Sequence, residues 1–180
     1  MKKNSNVKAD FVQPILVLTA ICLVMSLALA FVNGVTKPII ADTENAIAEA
    51  ARAEVLPGAD GFAKVDVALP EGSFVTEVYE ATNGAGYVFM ITCNGYGGKN
   101  TMNLICGMDG EGKIVDSKVL SHKETAGLGS KVTEDGFRTQ FVGKDAALDG
   151  VELISGATFS SNYYLEGLQA AFEVYAIITE

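Results

Sequence analysis

The chain predicts an α+β fold: a single N-terminal transmembrane helix, then a domain built on an antiparallel sheet flanked by helices. Three observations carry this. Residues 11–32 are almost wholly apolar and lie in a stretch with no charge between Asp10 and Lys37, about the length that crosses a bilayer's hydrocarbon core. Segments of the middle third are rich in β-branched and aromatic residues and are separated by glycine-bearing turns, the pattern of hairpin strands. Residues 162–178 place Leu165, Leu168, Phe172 and Tyr175 at spacings of three, four and three, which is one face of a helix.

The elements follow in chain order. Residues 1–10 hold Lys2, Lys3 and Lys8 and read as a cytoplasmic tail, because basic residues mark the inner side. The anchor covers residues 11–33, with Pro14 near its start, where a helix tolerates proline. A cleaved signal peptide has a shorter apolar core and small residues at its cleavage site. This run is long, and Ala28 and Ala30 make only a weak site. The expectation is a retained single-pass anchor in the cell (inner) membrane, with the rest of the chain on the outer face.

Residues 34–56 read as a juxtamembrane helical linker. Lys37-Pro38 ends a turn, and residues 39–55 are rich in Ala and Glu, which have high helix propensity. Asp42 or Thr43 is the expected cap, and Leu56-Pro57-Gly58-Ala59-Asp60 the break.

The domain proper covers residues 57–180. Strands are expected over 73–81 and 87–93 around Thr82-Asn83-Gly84-Ala85, where Asn-Gly is a strong hairpin signal. Two more are expected over 103–108 and 113–120, around Asp109-Gly110-Glu111-Gly112. A short helix capped by Thr133 is expected over 133–141, and the amphipathic helix over 162–178 closes the domain.

Composition excludes several functions. Of the net charge of −9, residues 1–10 contribute +2, which leaves −11 for the remainder. An acidic exported domain argues against nucleic acid as a partner. The one histidine, His122, argues against a zinc cluster. Cys22 lies in the anchor. Cys93 and Cys106 are free to pair in an oxidising compartment, but two cysteines make no disulfide framework.

Three segments stand out as chemistry. Asn94-Gly95-Tyr96-Gly97-Gly98-Lys99-Asn100 is not a phosphate-binding Walker loop, since Cys93 and Asn100 stand where that motif needs Gly and Ser/Thr. Its glycines make a turn or admit a close approach of the backbone to a ligand. His122-Lys123-Glu124-Thr125-Ala126-Gly127-Leu128-Gly129 lacks the third glycine of a dinucleotide fingerprint and reads as a solvated loop or a wall for a planar polar ligand. Ser155-Gly156-Ala157-Thr158-Phe159-Ser160-Ser161 leads into the closing helix. Ser160 or Ser161 is a candidate cap, and a helix N-terminus also holds phosphate. A triad hydrolase fits poorly, with one histidine and no G-x-S-x-G elbow.

Ser155-Gly156-Ala157-Thr158 resembles the S/T-G-A-T motif of covalently flavinylated FMN-binding domains. The His122–Gly129 segment resembles that family's H-x-E-T-P-G-L-G, with Ala126 for proline. Gly95-Tyr96-x-Gly98 resembles its glycine-rich loop. The order of these motifs behind one membrane span resembles the G subunits of Rnf electron-transport complexes. The chain departs from the pattern at Glu152, where the family has Asp, and at Lys99-Asn100, where it has an apolar pair.

The resemblance implies FMN held by a phosphoester to Thr158 and attached by a flavin transferase. Ser155, Gly156 and Ala157 would lie about the phosphate. Glu124, Thr125, Gly127, Leu128 and Gly129 would lie against the ring, with loop backbone donors toward its polar edge, and Gly95 and Gly98 beside it. The implied role is an electron-transfer relay in a membrane complex that couples ferredoxin:NAD+ electron transfer to Na+ or H+ translocation, with the other subunits as partners. The alternatives are the C subunit of the sodium-pumping NADH:quinone oxidoreductase and an anchored, cofactor-free binding or scaffold domain.

Overall fold

Helix α1 runs unbroken from Val7 to Val55 in the computed structural model, which describes residues 7–179 and, for 7–11, 38–42, 44 and 45, the backbone alone. Lys2, Lys3, the Lys8 side chain and the side chain of the expected cap Asp42 lie outside the described residues. The turn expected at Lys37-Pro38 is not there, and no helix starts at Thr43, because α1 passes through both. Proline's fixed φ is helical, although inside a helix it removes one backbone donor and crowds the carbonyl four residues back; the Ala/Glu-rich run beyond it favours helix. The chain divides into two units, Met1–Ala46 and Ile47–Glu180.

In the first unit, Val12–Lys37 has a mean hydropathy of 2.9 and none of it is buried. Its Leu, Ile, Val, Met and Phe side chains are exposed all round. By length and composition this helix is long and apolar enough to cross a membrane.

The second unit is organised by a five-stranded antiparallel sheet in strict chain order: β1 (Phe62–Val65), β2 (Val75–Ala81), β3 (Gly86–Gly95), β4 (Gly98–Asp109) and β5 (Ile114–His122). The two expected turns are present. Gly84 takes φ +73° and its N–H donates to Ala81 O at 2.9 Å. Asp109 Oδ1 accepts from Glu111 N and Lys113 N, both at 2.9 Å. Strand β1 was not expected. The glycine segment is also more than a loop, since Gly95 pairs with Gly98 and the Tyr96-Gly97 tip joins β3 to β4 as a third hairpin.

Side chains alternate across the sheet. Phe89, Ile91 and Cys93 of β3 and Met102, Leu104, Cys106 and Met108 of β4 face one side. There they meet α3 (Thr158–Thr179) through Tyr164, Leu168, Ala171, Phe172 and Val174. Val88 and Ile105 face the other side, against Ala51, Val55 and Leu56 at the end of α1. Arg52 lies over the Tyr79 ring, 3.9 Å from its centroid.

Between β5 and α3 come a 3-10 turn (Gly129–Thr133), α2 (Asp135–Arg138) and a second 3-10 turn (Thr139–Phe141). Thr133 is not the cap expected of it. The residue before α2 is Glu134, with no side-chain cap bond, and Thr133 Oγ1 donates to Ser130 O at 2.8 Å. Phe137, Phe141 and Tyr164 form an aromatic cluster with centroids 5.1–5.3 Å apart, and the Tyr164 hydroxyl shares a 2.8 Å hydrogen bond with Ser117.

Cys93 and Cys106 are both free and buried. Cys93 pairs with Met102 while Cys106 pairs with Phe89, a register offset of four residues. At about 3.3 Å per residue that is ~13 Å along the strands, beyond disulfide reach.

Candidate functional site

Three segments far apart in sequence meet beside one cavity. The β3–β4 hairpin tip brings Tyr96. The loop after β5 brings Glu124, Thr125, Leu128 and Gly129. The entry to α3 brings Gly156, Ala157, Thr158, Phe159 and Ser160. Together they line a cavity of about 260 Å³.

The sheet register sets up this meeting. Met102 pairs with His122, and Lys123 N donates to Thr101 O at 2.9 Å, so the loop leaves β5 alongside the β4 hairpin. His122 Nδ1 then accepts from Glu124 N at 3.1 Å, which turns the chain inward. Gly127 takes φ +76° and its N–H donates to Ser130 Oγ at 2.9 Å. Leu128 N and Ser130 N both donate to Thr125 O at 3.2 Å. The N–H groups of Gly127, Leu128 and Ser130 are thus engaged within the loop.

Gly156 takes φ +80°, the left-handed conformation that glycine adopts freely, and lets the chain turn into α3. Ala157 N donates to Ile154 O and Ser161 N to Ala157 O, both at 3.0 Å. The helix begins at Thr158, four residues before its expected start. Ser160 and Ser161 therefore lie inside its first turn and are not its caps. Ser161 Oγ donates to Ala157 O at 3.0 Å and accepts from Ile154 N at 3.2 Å, and Ser160 Oγ donates to Glu124 Oε2.

Glu124 is the polar centre of the site and is only 9% exposed. Oε1 accepts from Tyr96 N at 2.9 Å and Oε2 from Ser160. The carboxylate thus ties the hairpin tip to the first turn of α3. The cavity's other large walls are apolar: Tyr96 is 71% exposed, Phe159 65% and Leu128 51%. Thr158 is exposed on its rim.

Of the residues expected at the site, Thr158, Gly156, Ala157, Glu124, Thr125, Leu128 and Gly129 line this cavity, and Ser155, Gly127, Gly95 and Gly98 do not. Gly95 lies behind the wall, against Glu124. Gly98, at φ +118°, has open space around it. Glu152 points elsewhere, to a surface shared with Gln140, whose side chain bonds the Glu152 backbone at 2.8 and 3.1 Å. Lys99 is exposed. Tyr96, Phe159 and Ser160 were not expected as wall residues. The available signal was an aromatic residue held between glycines and another directly after the motif threonine.

The donor set suits a flavin. The cavity of about 260 Å³ joins the exposed apolar side chains of Tyr96, Leu128 and Phe159 to a few polar groups, the lining that a flat, mostly apolar ring with a polar edge requires. The first N–H groups of α3 lack intrahelical partners and carry partial positive charge, which suits an anionic group at this end of the helix. The described residues contain no group of three or more His, Cys, Asp or Glu able to hold a metal.

The family model described as FMN-binding domain matches residues 95–173, a span that contains the whole cavity. The chain is similar to the G subunit of the proton-translocating ferredoxin:NAD(+) oxidoreductase complex of Clostridium ljungdahlii, 29% identical over 175 residues and 90% of each chain. It is similar to the G subunit of the Na(+)-translocating ferredoxin:NAD(+) oxidoreductase complex of Acetobacterium woodii, 27% identical over 187 residues and 89% of each chain. Against the G subunit of the ion-translocating oxidoreductase complex of Methanosarcina acetivorans it is 30% identical over 132 residues, 67% of this chain and 70% of that one.

Proposed function

We propose that this chain, which belongs to the family of G subunits of ion-translocating oxidoreductase complexes, is a membrane-anchored electron-transfer protein that carries FMN covalently on Thr158. Two relatives bear the name of ferredoxin:NAD(+) oxidoreductase complexes, one proton-translocating and one Na(+)-translocating. This chain is read as the flavin relay of such a complex, with its other subunits as partners. The G-subunit names of the relatives favour this over the C subunit of the sodium-pumping NADH:quinone oxidoreductase.

The observation that carries the reading is the position of Thr158. It is exposed on the cavity rim, at the first residue of α3, with the Gly156 turn behind it. Thr158 Oγ1 would lose its proton and attack the flavin-side phosphorus of a flavin dinucleotide held by the transferase; the pyrophosphate bond would break, the nucleoside monophosphate would leave, and the protein would gain FMN less one water. Exposure leaves the hydroxyl open to a flavin transferase. The helix start stabilises the anionic oxygens, typically by about 0.3–1 kcal/mol from the dipole. Tyr96, Leu128 and Phe159 would offer apolar surface to the ring.

Bound FMN supplies the one- and two-electron chemistry, and the protein positions and tunes it. With Lys2, Lys3 and Lys8 on the cytoplasmic side, the flavin domain stands on the outer face, where a dissociating cofactor would be lost. A covalent bond prevents that loss.

The test is to co-express the full chain with a flavin transferase and read intact mass and visible absorbance. The expected protein is yellow and heavier by FMN less water, and Thr158→Val is colourless at the unmodified mass. A Thr158→Val protein that still carries covalent flavin overturns the attachment site, and a colourless wild-type protein favours a cofactor-free scaffold.

A further inference from the structure

We propose that Glu124 is a positioning residue of this site: its two oxygens fix the Tyr96 hairpin tip and the first turn of α3 at one spacing, and so set the gap between the Tyr96 and Phe159 walls. The inference rests on the flavin reading above and goes beyond it, since it assigns Glu124 to the protein's own architecture.

Four observations converge. Glu124 is buried while its loop neighbours Thr125, Ala126, Gly127 and Leu128 are exposed. Its Oε1 holds a backbone donor, Tyr96 N, and its Oε2 holds the Ser160 hydroxyl, one residue after Phe159. A Cβ built on Gly95 would fall on Oε1, and one built on Gly129 on Oε2. Both Gly95 and Gly129 have ordinary φ values, so glycine there answers to the space the carboxylate occupies rather than to backbone strain. Two glycines, a hydroxyl and a backbone N–H thus enclose one carboxyl group.

Removing the carboxylate leaves the Tyr96 N–H and the Ser160 O–H unpaired and frees the hairpin from the helix. Glutamine restores both links: its amide oxygen accepts from Tyr96, and its NH2 donates to Ser160 Oγ, since a hydroxyl both accepts and donates. A flavin ring bound in this cavity would be quenched by the Tyr96 phenol when the walls are held together, and would brighten when they part.

The experiment uses the full chain co-expressed with a flavin transferase, in five forms: wild type, E124A, E124Q, S160A and E124A/S160A. Flavin load is read by mass, ring environment by fluorescence per bound flavin, and folding by thermal melting. The expected result is a several-fold brightening in E124A, which leaves both the Tyr96 N–H and the Ser160 O–H without the carboxylate. E124Q is expected to stay quenched, S160A to brighten less than E124A, and E124A/S160A to be no brighter than E124A. Wild-type quenching in a folded E124A, or an S160A effect that adds fully to that of E124A, overturns the proposal. If E124A fails to fold, S160A decides: wild-type quenching there overturns it. A wild-type protein without flavin overturns the flavin reading instead, which is a separate outcome.

Discussion

Gly107 shows how much one missing side chain determines. A Cβ there would run into the Val55 carbonyl, so β4 and the end of α1 approach to backbone contact. Gly107→Ala is expected to destabilise the domain by about 1–3 kcal/mol, the range for overpacking, and to lower its melting temperature by several degrees. A backbone carbonyl cannot step aside as a flexible side chain can. The same logic at Gly95 and Gly129 protects a functional carboxylate, so substitution there is expected to disturb the flavin more than the fold. Cys93 belongs to this scale too: burial pushes its thiol up to about 12, which makes it a packing residue at neutral pH.

Element by element, the edge strand β1 is the weakest part of the sheet, four residues paired only to β2. Across that pair Lys64 Nζ meets Glu77 Oε1 at 2.5 Å, and Tyr79 Oη donates to Glu77 Oε2 at 2.7 Å. The Lys64 hydrogen bond, and then the Tyr79 one, hold the Glu77 carboxyl below its usual 4.5. The Glu77 hydrogen bond holds Lys64 above its usual 10.5. The link is therefore complete between those two values. It is lost as pH falls through the lowered Glu77 titration and as pH rises through the raised Lys64 one. Amide exchange of β1 is expected to be flat from pH 5 to 9, after correction for intrinsic rates, and to quicken on the acid side. Lys64→Ala should weaken that dependence and leave the part due to the Tyr79 hydrogen bond. A surface pair is worth little, typically about 0–1 kcal/mol, so the global melting temperature is the wrong readout. The hairpins were legible where turn chemistry is local, as at Asn83-Gly84 and Asp109-Gly110-Glu111-Gly112. Strand β1 was not, because four residues on an edge carry too little pattern. The Tyr96-Gly97 hairpin was hidden by its own glycines, which read equally as a ligand loop. The motif segments were visible, but the bond from Glu124 to Ser160 spans thirty-six positions and exists only once the sheet and α3 are packed.

For the whole molecule, the division after Ala46 makes anchor and domain separable. A chain starting at Ile47 keeps Ala51, Val55 and Leu56, the residues that cover the outer face of the sheet. It is expected to be a soluble monomer that melts like the full chain and still accepts FMN, while no longer sedimenting with membranes. Aggregation or loss of flavin acceptance in that fragment would show that the anchor unit supports the fold. Every strand in the sheet pairs with its neighbour in sequence, so the sheet grows as the chain emerges. The cavity does not, since α3 follows every strand and its entry supplies half of the lining. The order of synthesis therefore separates strands from site: every strand is made before Thr158 and the helix that covers the sheet. Flavin attached at Thr158 would then act as a stamp of completion, marking chains that have finished folding ahead of assembly with their neighbours.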